Sequence, residues 1–518
     1  MTPPRPLFLI ITLLFTALAI KASPPNVLFI SIDDLRPELG AYGAEHVKSP
    51  HLDRFARTGM LFERAYCQLA ICTPSRANVF TGKRPDTLRV WHLRDDFRKK
   101  TPEIVTLPQF LRSRGYLTQT IGKTIAINDP SSWTEPGRRD RAAGRFAEPA
   151  LKYADPRTRA EVQAEYEAAV AAGLTGIAFE RAARGPAWEK ADVPDDAYQD
   201  GRFAEDALAA LRDLNSRKKP FFLTVGFLKP HLPFNAPARY WDLYDPATLP
   251  PLTNDYHPLK APWFALGYSA EFHGYDGTGV AHVPAHEAAR LRHGYYACIS
   301  YVDAQVGRVL DELDRLRLAE NTLVVIWADH GYKLGEHDQW GKCTNVELDT
   351  RVPLMVRLPG QKTAVRTRAF VEFVDLFATV AEAAGFAPPD DLEGISLLPL
   401  FTNPDLPWKS AAFSQYPRST KGDEMDLRAW NLMGRSIRTD RYRFTRWDSM
   451  AEPGRVEGLE LYDHEVDPGE NRNIASEPGS QALVAELSRQ IDLGWKAALP
   501  PPASRTGSAP LSTATSRR

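Results

Sequence analysis

The run Asn26-Val27-Leu28-Phe29-Ile30-Ser31-Ile32 is short, almost wholly apolar and rich in β-branched residues, and it stops at two acids, Asp33 and Asp34. A strand of that composition is buried on both faces, as in a parallel sheet covered by helices. Ligands in such sheets bind outside the carboxyl ends of the strands, where the Asp33-Asp34 pair falls. The pattern repeats. Tyr116 to Gly122 ends at Lys123, Pro220 to Phe227 leads into Lys229-Pro230-His231, and Thr322 to Ala328 stops at Asp329-His330. Leu61 to Tyr66 reads as a further strand.

Helical stretches alternate with these strands. They are expected over Ser49–Gly59 with Ser49 as cap, Thr106–Gly115, Phe203–Leu214, His286–Leu318 and Val371–Ala384. Residues 129–201 shift toward Ala, Arg, Glu and Pro and read as an elaborated surface insertion. After about residue 400 the alternation gives way to short antiparallel strands over Gly434–Trp447 and Leu459–Leu461, then a turn at Asp463–Pro468. The expected fold class is α/β: a large mixed, mostly parallel sheet flanked by helices over residues 23–400, followed by a smaller α+β subdomain with a short antiparallel sheet over 401–499. Residues 500–518, rich in Pro, Ser and Thr, are expected to be a disordered tail.

Arg5, the apolar run Leu7–Ile20 and the small residues Ala19, Ala22 and Ser23 have the layout of a signal peptide over residues 1–22, with a signal anchor as the alternative. Export to the periplasm or medium is the expectation, with no membrane span in the mature chain. With 64 Lys+Arg against 65 Asp+Glu over 518 residues, nothing global points to nucleic acid. Any preference for anions must be local. Four cysteines, Cys67, Cys72, Cys298 and Cys343, are too few for a disulfide scaffold.

The pentapeptide Cys72-Thr73-Pro74-Ser75-Arg76 reads as a reactive side chain at a helix start. Pro74 suits the first helical position, and Arg76, one turn on, can point back toward Cys72. Unpaired N–H groups there favour an anion. The strand ends add three carboxylates and an imidazole, a donor set that suits a hard divalent cation better than zinc. Taken singly, each feature also has a plain structural reading: a buried inert cysteine, turn-forming acids, solvated lysines at 123 and 342, and a loop histidine packed beside prolines at 231.

The pentapeptide resembles the C-x-P-S-R signature of the formylglycine-dependent sulfatases of the alkaline phosphatase superfamily. The resemblance extends through Asp33-Asp34-Leu35-Arg36-Pro37, Thr81-Gly82-Lys83-Arg84-Pro85-Asp86, Gly122-Lys123, Lys229-Pro230-His231, Asp329-His330-Gly331, Leu334-Gly335-Glu336-His337, Lys342 and Ser414-Gln415-Tyr416-Pro417-Arg418, and is strongest toward the iduronate-2-sulfatase branch. It implies that Cys72 is converted to formylglycine (3-oxoalanine) by a formylglycine-generating enzyme. It also implies that Asp33, Asp34, Asp329, His330 and the converted Cys72 bind one divalent cation, Ca²⁺. Arg76 and Lys123 would support the formylglycine, and Lys123, His231 and Lys342 would contact the sulfate. His231 would protonate the leaving alcohol. The substrate implied is a sulfated sugar, in particular a uronate-containing glycan.

One departure stands out. Relatives carry a histidine two or three residues after the lysine equivalent to Lys123, as base for the second half of the reaction, whereas this chain reads Lys123-Thr124-Ile125-Ala126-Ile127-Asn128. His92 is a candidate replacement, with Asn128 a poor one. The departure keeps two alternatives open: a phosphodiester or phosphonate hydrolase of the same superfamily, and a sulfated-glycan binding protein with impaired turnover. Tyr332 and Lys333, after Asp329-His330-Gly331, suggest an altered substrate rim.

Overall fold

The computed structural model describes residues 24–505 except 126, 128, 136–148, 176–177, 180–181, 183, 268–270, 277, 279–281 and 421–428. The expected signal peptide, Ala126, Asn128 and the tail beyond residue 505 therefore lie outside the described residues. The strands are β1 (Asn26–Ile32), β2 (Met60–Tyr66), β3 (Leu117–Gly122), β4 (Trp188–Ala191), β5 (Phe221–Phe227), β6 (Phe234–Pro237), β7 (Thr322–Ala328), β8 (Lys333–Leu334), β9 (Trp340–Gly341), β10 (Arg351–Arg357), β11 (Val365–Glu372), β12 (Ala412–Arg418), β13 (Leu432–Arg438), β14 (Tyr442–Ser449) and β15 (Val456–Asp463).

Seven of them form one mixed sheet in the order β11-β2-β10-β7-β1-β5-β3, with β10 antiparallel to both its neighbours and the other pairs parallel. β1 is buried along its whole length, as its composition demands. Its Phe29 packs against Phe80, Phe222 and Trp327 at ring-centroid distances of 5.8, 5.8 and 5.6 Å. Phe80 belongs to the helix Cys72–Thr81, so this contact fixes that helix over the sheet. Truncating such a core aromatic costs about 3–5 kcal/mol. The helix Gln199–Ser216 lies on β3 and β5, and the long helix Ala285–Arg315 packs on that helix and on β6. A second, antiparallel sheet, β12-β13-β14-β15, carries the helix Gln481–Leu493.

Several expectations need correction. Val371 and Glu372 do not start a helix; they end edge strand β11, and the helix runs only from Asp375 to Ala383. An apolar stretch that short carries no periodicity able to separate a strand end from a helix start. The antiparallel strands expected over Gly434–Trp447 are present as β13 and β14, joined by a turn in which Thr439 N donates to Tyr442 O. Ser49 holds the cap position, but its hydroxyl does not bond the helix N–H groups: it accepts from Gly40 N at 3.1 Å and donates to Asp53 at 3.2 Å. Pro74 sits at the third helical position, not the first, because the helix begins at Cys72. Within the tail, Pro502–Arg505 form a helical turn. The 129–201 insertion is moored to the domain by β4, which pairs in parallel with β6 three residues past His231. All four cysteines are unpaired thiols.

Candidate active site

The strands β1, β3, β5 and β7 run parallel and end level, with Ile32 opposite both Phe227 and Ala328, and Gly122 opposite Gly226. Their carboxyl ends bring Asp33-Asp34, Lys123, His231 and Asp329-His330 to one edge. The approach of β3 to β5 is close. A Cβ on Gly226 would lie 1.7 Å from the Lys123 carbonyl oxygen, so only glycine lets Lys123 take its place. Cys72 opens its helix above the same edge, and Gly82, left-handed at φ 65°, closes that helix.

Arg76 straps the strand ends together. Its Nε donates to Asp329 Oδ2 at 2.9 Å and its Nη2 to Asp33 Oδ1 at 3.3 Å, while Nη1 donates to the carbonyls of Lys123 (2.6 Å) and Thr124 (3.0 Å). The guanidinium is fully buried, and its planar fork suits this division between two carboxylates. Asp34 adopts a left-handed backbone at φ 60°, pinned by its N–H donating to Asp329 Oδ1 (3.2 Å) and by Tyr295 O–H donating to its carbonyl (2.7 Å). Lys342 Nζ donates to both oxygens of Asp34 at 2.8 and 2.9 Å. Lys123 Nζ pairs with Asp33 Oδ2 and lies 3.4 Å from Cys72 Sγ, as does His330 Nε2.

Two overlapping groups have ligand atoms within 4.8 Å of one another: Asp33, Asp34, Cys72 and His231, and Asp33, Cys72, Asp329 and His330. This oxygen-dominated, buried donor set fits a hard divalent cation. The charges agree. The three carboxylates are matched by Arg76, Lys123 and Lys342, so a dication would leave the centre positive and ready for an anion.

Burial favours the neutral form of Asp33, but Lys123, His231 and Arg76 outweigh it and hold the carboxyl well below its usual range. Asp329 is pushed up, by burial first and by Asp33, against Arg76. The Cys72 thiol is also pushed up by burial, against Lys123 and Lys342, so the unmodified side chain is a protonated, poorly nucleophilic thiol. Burial alone would lower both lysines. Asp33 nevertheless raises Lys123, and Asp34 raises Lys342, so both stay charged.

His231 faces the cluster from the loop after β5. Its Nδ1 is 2.8 Å from Leu232 O and its Nε2 is 3.1 Å from Glu271 Oε1. Both partners are acceptors, so each ring nitrogen faces an acceptor. Glu271 Oε2 is also 3.1 Å from Lys342 Nζ. Glu271 was missed by sequence reasoning, because it lies in a Pro- and aromatic-rich loop with no periodicity and no strand end beside it. Lys229 is structural: its Nζ donates to the carbonyls of His231 and Pro233.

The substrate-rim expectation for Tyr332 and Lys333 is overturned. Tyr332 is fully buried and stacks on Tyr295 at 5.9 Å, and Lys333 is buried in an ion pair with Asp349 at 2.5 Å. Lys333 lies in β8, both of whose residues are buried, and Tyr332 just before it packs between Tyr295 and Phe234. His92 is buried, its Nδ1 accepting from Arg94 N at 3.0 Å and its ring edge-on to Trp430. It adjoins the Cys72 helix through Leu93, whose carbonyl accepts from Thr73 O–H at 2.7 Å.

With that geometry in view, comparison with known proteins gives the following. The family model described as Sulfatase matches residues 25–386, and the one described as N-sulphoglucosamine sulphohydrolase, C-terminal, matches residues 335–495. Iduronate 2-sulfatase of Mus musculus is 30% identical over 539 residues, covering 89% of this chain and 93% of the relative. The Homo sapiens iduronate 2-sulfatase is likewise 30% identical, covering 87% and 90%. Among solved structures, the phosphonate monoester hydrolase from Silicibacter pomeroyi superposes with a TM-score of 0.70 at 24% identity, over 92% of this chain and 96% of that one, a likeness of fold.

Proposed function

From the premise that this chain belongs to the sulfatase family and is a sulfuric ester hydrolase, we propose that it cleaves sulfate esters of uronate-containing glycans through a formylglycine made from Cys72. One observation carries the reading: Cys72 stands at the confluence of four parallel strand ends, 3.4 Å from both Lys123 Nζ and His330 Nε2. The glycan class is supported by the iduronate 2-sulfatases, the relatives at 30% identity across most of the chain.

Asp33, Asp34, Asp329 and His330, with the converted residue 72, would hold a divalent cation, for which the oxygen-rich set favours Ca²⁺. When present, the formylglycine supplies an aldehyde hydrate as nucleophile and the cation supplies Lewis acidity. The remaining work falls to side chains described above. Lys123 and Lys342 direct charged ammonium groups at the sulfate oxygens, where they offset charge that grows during transfer. His231, held by Leu232 O and Glu271, donates a proton to the departing sugar oxygen. Arg76 keeps the carboxylates in register. The N-terminal signal layout supports export, with maturation by a formylglycine-generating enzyme.

The test pairs a mass with a rate. Protein from its native host is expected to give a peptide spanning Leu69–Arg76 about 18 Da lighter than the thiol form, as conversion to the covalent nucleophile requires. It is also expected to release sulfate from a 2-O-sulfated uronate disaccharide faster than it cleaves a phosphodiester. An unmodified thiol with metal-dependent glycan binding and no sulfate release would replace this reading with that of a binding protein. Faster phosphodiester cleavage would make the chain a phosphohydrolase.

A further inference from the structure

We infer that Glu271 is a built-in carboxylate occupant of the subsite that receives the substrate's sulfate, and so sets how strongly an anion must bind to enter. The inference rests on the reading of His231 and Lys342 as sulfate-binding groups. Glu271 Oε1 lies 3.1 Å from His231 Nε2 and Oε2 lies 3.1 Å from Lys342 Nζ, so one carboxylate spans both cations. The two oxygens of a carboxylate are spaced much like two oxygens of a tetrahedral sulfate. A pair of contacts that fits one therefore fits the other. His231 Nε2 is also the nitrogen that has to face the sugar oxygen, since Nδ1 is engaged at Leu232 O. Glu271 and the substrate cannot both have it.

The surroundings allow the exchange. The backbone at Glu271 is fixed: its carbonyl accepts from Arg184 Nη1, and the next residue, Phe272, is fully buried and stacked on Trp340 at 5.2 Å. Trp340 lies two residues before Lys342, so this contact ties the Glu271 backbone to the segment that carries Lys342. The Glu271 side chain, in contrast, is one-third exposed, at 33%. Release is then a rotation of the side chain and needs no loop opening. A counter-charge waits nearby. Lys152, half-buried, makes no side-chain hydrogen bond or ion pair among the described residues, and its ammonium feels Glu271. Burial and the neighbouring Arg184 push that ammonium down to about 8, and an arriving carboxylate would restore it.

The arrangement has a catalytic sense. A sulfate ester whose sugar makes further contacts can displace Glu271, whereas free sulfate, the product, has only the subsite contacts to offer. Return of Glu271 to His231 and Lys342 then expels the product, and inhibition by it stays weak.

The test is calorimetric titration of inorganic sulfate into the calcium-loaded full chain, wild type against Glu271→Gln and Glu271→Ala. An internal occupant present about nine-tenths of the time lowers apparent affinity about tenfold, so both variants are expected to bind sulfate about tenfold more tightly. In the active enzyme, product inhibition by sulfate is expected to strengthen by a similar factor. Unchanged or weaker sulfate binding in both variants overturns the inference and makes Glu271 a positioning residue for His231. If the wild type releases sulfate from its substrate all the same, the function proposed above still stands. If neither the wild type nor the variants bind sulfate, the subsite reading fails together with the inference.

Discussion

Two buried ionic clusters of this molecule look alike on paper and differ in what they are built to do. One is the strand-end centre around Cys72. The other links the two sheets: Glu347, just before β10, accepts from Tyr66 O–H (2.9 Å), Arg438 Nε (3.0 Å) and Arg443 Nη2, while Glu470 takes Arg443 Nε (2.6 Å) and His464 Nε2 (2.9 Å). Each includes a group of carboxylate and histidine atoms within 4.8 Å that could hold a metal. In the second, the arginine forks already occupy the carboxylate oxygens, and Glu470 Oε2 is taken by Glu347 N at 2.8 Å. In the first, a sulfur side chain, a histidine and two lysines converge, and Glu271 bridges only His231 and Lys342, at 3.1 Å each. Closed complementarity marks a joint; matched charges gathered around a nucleophile position, with donor atoms left for a cation, mark a reaction centre.

Breaking each cluster in turn separates the two roles. Cys72→Ala is expected to lower sulfate release about 10⁴-fold or more, the scale of losing a nucleophile, while changing stability by no more than about 1 kcal/mol. An aryl sulfate assay and a thermal melt on the same preparation check both halves. Arg443→Met is expected to do the reverse. It strands two buried glutamates and should cost about 3–5 kcal/mol in urea denaturation, with kcat of the folded fraction preserved.

The smallest and sharpest contrast is with acid. Burial raises Glu470, but Arg443 and His464 outweigh it, and its folded value lies below the usual 4.5. Glu347 is likewise depressed, by Arg438 and Arg443 against burial. Carboxylates with depressed values contribute stability that is complete above the ordinary range and is lost as pH falls through the folded values. Removing Arg443 raises those values, so the acid unfolding midpoint of Arg443→Met should move up by about one pH unit. A midpoint that stays put would make the joint a bystander.

How much of this was legible in the chain follows the same divide. The strand ends could be read because a continuous apolar run stopping at a charged residue reports both burial and topology. Asp33, Lys123, His231 and Asp329 were found that way before any fold was known. Lys342 came only through the family resemblance, because β9 is two residues long and leaves no pattern. Glu271 and the joint around Arg443 left none either, since ion pairs between residues 40, 71 or 96 positions apart have no local signature. Tyr332 and Lys333 were misjudged for a related reason. Sequence says that polar side chains follow a strand, but not which way the next short strand turns them.

The pairing of β4 with β6 has a practical side. The stretch that varies most in composition is stapled three residues downstream of His231, and Lys152 and Arg184 reach the centre from it. Someone wishing to exchange the surface beside the site therefore has an address for the graft: replace residues 129–187, keep the four-residue staple, and leave Lys123, the sheet and its strand ends alone.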